Sequence, residues 1–236
     1  MPPTNPPAGV ASFHLIRERP GRALRAMARL ATDRPRLART HGLEFWRVLG
    51  TGRGDDTGTG VDLQRTALFA VWRGEDELEQ FLATSPIARR WDDAHEAWHV
   101  RLDAISGHGS WRGQDVLAHV RPATTTGPVA VLTRADVRLG AWRAFARAGR
   151  PVSDEVRSAS GLVAVLGMGE APVGRLGTFS VWRSADDVDE FVRSMHAHRD
   201  TVRRTRTERW YREELFARFA PYASSGAWDG RDPLAV

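Results

Sequence analysis

The sequence predicts an α+β fold: tandem ferredoxin-like βαββαβ repeats that close into a dimeric-type α+β barrel within one chain. Three observations predict it. At an offset of 110, FAVWRGEDELEQF (Phe69 to Phe81) matches FSVWRSADDVDEF (Phe179 to Phe191) with six of thirteen positions identical. Both copies end on one tail pattern, SWRGQDVLA (Ser110 to Ala118) and AWDGRDPLA (Ala227 to Ala235). In each copy the hydrophobic period also changes between strand-like and helix-like values in the same order.

The elements follow in that order. A strand-like run comes first (Val10 to Ile16; Val129 to Thr133), then an Ala/Leu/Arg-rich helix (Arg22 to Leu30; Leu139 to Ala148). A second strand (Leu43 to Leu49; Leu162 to Met168) and a Gly-rich turn lead to a third (Thr66 to Trp72; Thr178 to Trp182). The next helix opens on acids that suit its positive N-terminal end (Glu75 to Leu82; Asp186 to Arg193), and a last strand begins near Trp98 or Trp210. The division expected is a disordered Pro-rich segment 1–8, a first repeat 9–118, a linker 119–128 and a second repeat 129–236. Two such units commonly enclose a cavity between their open sheet faces.

Composition narrows the chemistry. The chain has 236 residues, enough for an ordinary core, and no cysteine. Thiolate haem ligation, iron–sulfur clusters and a thiol nucleophile are therefore excluded, leaving His, Tyr and carboxylates as ligands. No stretch approaches the ~20 apolar residues of a membrane span, and the N-terminus lacks a secretory pattern, so a cytoplasmic protein is expected. The net charge of +5 comes from arginines scattered among acids. It reads as a solvated, ion-paired face and gives no support for nucleic-acid binding.

The two copies differ in the helix after Trp182. At helical spacing Phe191, Met195, His198, Val202 and Thr205 share one stripe, and Arg199, Arg203 and Arg206 form another. His198 thus lies on the inward face, and the matching position in the first copy is Ala88, on a stripe with Phe81, Ser85, Asp92 and His95. A buried neutral imidazole must satisfy two ring nitrogens, by a core partner or by a metal on one of them. His99, next to Trp98, faces either the cavity or solvent. His95 is a candidate partner on the opposite wall, His108 reads as a loop residue, and His14, His41 and His119 have no helpful context. No HExxH, GxSxG or phosphate loop occurs.

Several segments together resemble the spheroidene monooxygenase family: RTALFAVWR (Arg65 to Arg73), TSPIARRW (Thr84 to Trp91), WHVRL (Trp98 to Leu102), GPVAVLTRA (Gly127 to Ala135), GTFSVW (Gly177 to Trp182), RRTRTERWYREELFARF (Arg203 to Phe219) and WDGRDPL (Trp228 to Leu234). The resemblance runs from about Arg65 to the end. It implies a haem b monooxygenase that oxidises a small apolar organic substrate with O2 and an external electron donor such as a ferredoxin. His198 falls on the second histidine of the family's pattern in this helix, and Met195 stands where the first would be. His198 is accordingly the expected iron ligand, with Arg199, Arg203 and Arg204 as partners of the haem propionates. Trp98 and His99 are the candidates for the distal wall, and no catalytic residue is named. A carotenoid and a smaller natural-product intermediate are both compatible substrates, and a homo-oligomer is compatible with the reading. Three other readings stay open: redox-neutral haem chemistry of the aldoxime-dehydratase kind, a cofactor-free barrel of the antibiotic-biosynthesis monooxygenase kind, and a binding protein for a small apolar ligand.

Overall fold

In the computed structural model, residues 8–52, 60–171, 174–194 and 210–235 are described. The first half runs β1 (Val10–Arg17), α1 (Ala23–Thr32), α2 (Arg34–Leu37), β2 (Leu43–Gly52), β3 (Val61–Trp72), α3 (Glu75–Thr84), α4 (Pro86–Arg89) and β4 (Glu96–Gly109). The second runs β5 (Val129–Val137), α5 (Trp142–Arg157), β6 (Leu162–Gly169), β7 (Arg175–Trp182), α6 (Ala185–Ser194) and β8 (Tyr211–Gly226). No described helix is long and apolar enough to cross a membrane.

The eight strands close into an antiparallel barrel in the order β1-β3-β2-β6-β7-β5-β8-β4. Each half contributes four neighbouring strands, so the halves meet at two seams. The β4–β8 seam is long, running from Trp98↔Gly226 to Gly109↔Leu215. The β2–β6 seam is joined, among the described residues, at Gly50↔Gly169 and Thr51↔Met168 alone.

Strand periodicity decides what fills the barrel. Alternate residues such as Ala11, Phe13 and Leu15 of β1, Phe69 and Val71 of β3, and Phe179 and Val181 of β7 point inward and are buried together. Phe13 and Phe179, one from each half, stack at 4.0 Å with their planes 3° apart. The expected cavity between the sheets is therefore a packed core. Apolar side chains on facing strands fill the space between the sheets.

The two tails form reciprocal clasps. In the first, Arg112 (φ 58°) and Gly113 (φ 73°) are both left-handed, and Trp111 pairs with Gln114. Glu213 of β8, in the other half, accepts hydrogen bonds from the N–H groups of Arg112 (3.0 Å) and Gly113 (2.6 Å) and from Ser110 Oγ (2.7 Å). In the second, Asp229 (φ 53°) and Gly230 (φ 84°) repeat the turn, and Glu96 of β4 accepts their N–H groups at 3.0 and 2.8 Å. Trp111 packs against Phe45 and Phe69, and Trp228 against Trp98. The WxGxD pattern is thus a turn whose two exposed N–H groups are read by a glutamate of the opposite half.

The register revises one correspondence. Leu15 lies opposite Trp98, and Arg134, its counterpart in the second half, lies opposite Leu215. Leu215 and not Trp210 therefore matches Trp98, and the offset of 110 does not extend through the last strand.

Candidate functional site

The outer faces of the two half-sheets, away from the packed core, differ in how they are covered. In the first half, Leu78, Phe81, Ile87 and Ala88 of α3 and α4 bury Val10, Leu68, Ala70 and Trp72. The helix predicted to run on past Phe81 is broken at Ser85, which is extended (φ −70°, ψ 133°) because Pro86 disfavours a helical residue before it. Ser85 then caps α4 by accepting the Ile87 N–H at 3.1 Å. Asp92 and His95 consequently leave the stripe, and His95 is exposed, so it does not line the opposite wall.

The equivalent face of the second half is more open and more polar. Thr133 of β5 and Thr178 of β7 share a hydrogen bond of 2.7 Å between their Oγ1 atoms and are only half-buried, as is Val165 of β6. The counterparts of these two threonines in the first half are His14 and Leu68, both buried. The buried cluster here is small, formed by Val129, Val131, Trp182 and Val188. In α5, Trp142 and Phe145 stack at 5.9 Å and Phe145 meets Tyr211 at 6.0 Å, yet all three remain half-exposed. Burial beside Glu214 pushes the Tyr211 hydroxyl up to about 12, so it stays protonated and can donate.

His198, Arg199, Arg203 and Arg204 lie outside the described residues. Among the described residues, no three His, Cys, Asp or Glu side chains are grouped to hold a metal ion. Trp98 and His99 are adjacent in β4 and so project to opposite faces. Trp98 is fully buried in the core, donates Nε1–H to Asp232 at 2.9 Å and does not border an open wall. His99 points outward on the first half. The two do not form a distal wall together. His108 is not in a loop but at the exposed end of β4, stacked on Phe216 at 5.6 Å.

The least promising histidine in the sequence is the most deeply placed. His14 is 1% exposed; its Nδ1 lies 3.0 Å from Nδ1 of His99 and its Nε2 lies 2.9 Å from Ser12 Oγ, which also accepts Nε1–H of Trp72 at 2.8 Å. Trp91 stacks on both imidazoles, at 4.7 and 5.2 Å. An indole can only donate. Ser12 Oγ accepts from Trp72 and pairs with His14 Nε2, and between the two Nδ1 atoms of a neutral pair one ring donates and the other accepts. Both rings are neutral in this chain. Burial, then His99 and Arg101, holds His14 well below the usual histidine range; burial pushes His99 down to about 4 against the pull of Asp92. The signal for His14 was present in the sequence: a strand with Ser12 and His14 alternating with Ala11, Phe13 and Leu15 is buried on both faces if a helix covers it.

Two small clefts line the barrel. One of about 40 Å³ lies among Ala26, Leu37, Leu68 and Trp91, and the other, about 10 Å³, among Leu49, Trp111, Arg134 and Met168. Both fall far below the ~300–1,000 Å³ of a cofactor site. A tetrapyrrole fits neither the core nor these clefts.

No family model matches the chain. It is 33% identical over 193 residues to spheroidene monooxygenase of Cereibacter sphaeroides, covering 81% of this chain and 60% of that protein. It is 34% identical over 191 residues to spheroidene monooxygenase of Rubrivivax gelatinosus, covering 80% of this chain and 73% of that one. The chain thus spans about three-fifths of the length of the first of these relatives. Among solved structures, an aldoxime dehydratase aligns over 90% of this chain and 81% of its own with a TM-score of 0.60 at 9% identity. That likeness concerns the α+β barrel fold alone.

Proposed function

Because the chain belongs to the spheroidene monooxygenase family, we propose that it is a haem-dependent monooxygenase acting on an apolar, carotenoid-type substrate. The observation that carries this reading is the identity of about one-third sustained over four-fifths of the chain. The reaction class consumes O2 and two electrons, delivering one oxygen atom to the substrate carbon and the other to water. A ferredoxin-type protein would supply the electrons.

The haem would lie on the outer face of the second half, with His198 as its protein ligand. Support comes from the repeat. Ala88 occupies the matching position in the first copy, so the imidazole is a feature of the second copy alone. The absence of cysteine leaves an imidazole as the natural donor. When bound, the haem supplies the site at which O2 is reduced. The chain's own part would be to hold it: Thr133 and Thr178 would lie beneath the ring, Trp142 and Phe145 would exclude water from one side, and Arg199, Arg203 and Arg204 would neutralise the propionates.

The finer architecture accompanies this reading. Strand order β4-β1-β3-β2 in one half and β8-β5-β7-β6 in the other supports a reading of the chain as two ferredoxin-like units, 9–118 and 129–236. A visible spectrum of the purified chain tests the proposal. A Soret band lost in His198→Ala is expected, whereas a colourless protein that takes up no added haem would sink it. Turnover of a carotenoid with and without reductant and O2 then separates oxygenation from redox-neutral chemistry.

A further inference from the structure

Positive charge is dense in two stretches of this chain, residues 193–212 and, among the described residues, 17–39. Between residues 17 and 39 there are eight arginines against two acids, a formal charge of +6, while the whole chain carries +5. The two acids do not offset this at the surface. Glu18 and Asp33 are 5% and 7% exposed and turn inward, where Glu18 pairs with Arg29 and Asp33 with Arg90 at 2.5 Å. Arg22, Arg25 and Arg39 form no ion pair with any described residue, and Arg25, Arg34, Arg36 and Arg39 are exposed. The expectation of an ion-paired face fails here.

The helix that carries this charge is built against its own stability. Arg22 is the N-cap of α1 and gives no side-chain cap, Arg25 stands in the first turn, and no acid occurs there. Cations at that end oppose the helix dipole, where α3 places Glu75, Asp76 and Glu77. The face is also not purely polar. Leu24 is 83% exposed, and Ala28 and Ala31 continue its strip along the helix between the arginines. Cations flanking a protruding apolar side chain match a surface that is anionic outside and apolar just beneath.

We propose that the α1–α2 face docks onto an anionic phospholipid surface, Leu24 entering the headgroup layer and Arg22, Arg25 and Arg39 meeting lipid phosphates. An acidic protein or a nucleic acid would meet the same charge but would have no use for Leu24. The face belongs to the first half, whereas the haem reading concerns the second, so lipid binding and haem retention can fail separately.

The test is co-sedimentation of the full chain with vesicles of phosphatidylcholine alone or mixed with phosphatidylglycerol. Binding to the mixed vesicles alone, falling as salt is raised, is expected. Each arginine contributes about fivefold near such a surface, so Arg22→Glu, Arg25→Glu and Arg39→Glu together should weaken binding by at least about a hundredfold. The same triple variant should melt at about the same temperature, because Arg22→Glu and Arg25→Glu favour the α1 dipole and Arg39 is exposed and unpaired with any described residue. Lost binding would then not be lost folding. Leu24→Ser should reduce what binding survives at high salt. Absence of binding to anionic vesicles at low salt overturns the proposal, as does binding that the triple variant retains. Binding to a soluble polyanion equal to that for vesicles, and indifferent to Leu24→Ser, would assign the face to a nucleic acid or acidic protein instead.

Discussion

His14 and His99 meet through their Nδ1 atoms at 3.0 Å, so one ring must donate and the other must accept. A proton added to the accepting ring leaves two N–H groups facing each other under Trp91.

Stability should therefore fall in mild acid. Both groups are depressed in the folded chain, His99 to about 4, and return to about 6.5 on unfolding. The unfolded chain thus binds more protons between these values, and stability present above pH 6.5 is lost as pH drops towards 4. Each histidine contributes a slope of about 1.4 kcal/mol per pH unit in that window. Urea midpoints from pH 7 to 4.5 should show the decline, and His99→Gln should make it shallower while leaving the contribution of His14. A flat profile in the parent chain would refute the neutral pair.

The two clasps predict opposite responses to glycine. Arg112→Gly relieves a left-handed residue whose side chain reaches only Glu170 at 3.3 Å, and should be neutral or stabilising by about 1 kcal/mol. Asp229→Gly relieves the same strain but strips Arg65, 4% exposed, of its closest carboxylate. A net loss of roughly 2 kcal/mol is expected. Thermal melts of the two variants side by side decide it.

Glu213 adds a second acid transition. Burial raises its carboxyl, but the Gly113 N–H, Ser110, the Arg112 N–H and Arg134 outweigh this and hold it at about 2. Its stabilisation is complete above the ordinary carboxylate range and lost as pH falls from about 4.5 to about 2. Glu213→Gln should remove that lower transition and leave the histidine-dependent one in place, as read by circular dichroism across the acid range.

The Phe13–Phe179 stack joins the halves through the core. Either Phe→Ala should cost about 3–5 kcal/mol, and the double variant should cost less than their sum, since the two rings share one contact. Chemical denaturation of the four proteins gives the coupling.

Cutting the chain between halves should not separate them. Thr124 and Thr126 are exposed, while the β4–β8 ladder and both clasps cross from half to half. A protease site placed at Thr125 should yield two fragments that co-elute on a sizing column; fragments that part would show the clasps to be weak.

Much of this fold was legible in the sequence because period and repeat are local signals. Phe69 to Phe81 and Phe179 to Phe191 gave both the third strand and its helix in each half, and α3 and α6 begin within a residue of the expected acids. The packed core was not legible, since inward alternation fits a lined cavity as well as a filled one, and only the 4.0 Å approach of Phe13 to Phe179 separates them. His14 was passed over for a similar reason. Its partners Ser12, Trp72, Trp91 and His99 come from three different strands and a helix end, and nothing in the spacing of residue 14 announces residue 99. The break at Ser85 was readable from Pro86, and was overridden by a stripe that looked continuous.

The reciprocal clasps also set a clock for synthesis. Glu96 lies 133 positions before Asp229, whose N–H it accepts. A ribosome adding about 5–20 residues per second needs on the order of ten seconds to bridge that gap. For that interval the nascent first half carries Glu96 with only Arg65 beside it and a Trp98 edge without Trp228 over it, so its last strand waits unpaired for β8. Codon usage and chaperone contact between these two positions are where selection on this chain would be felt.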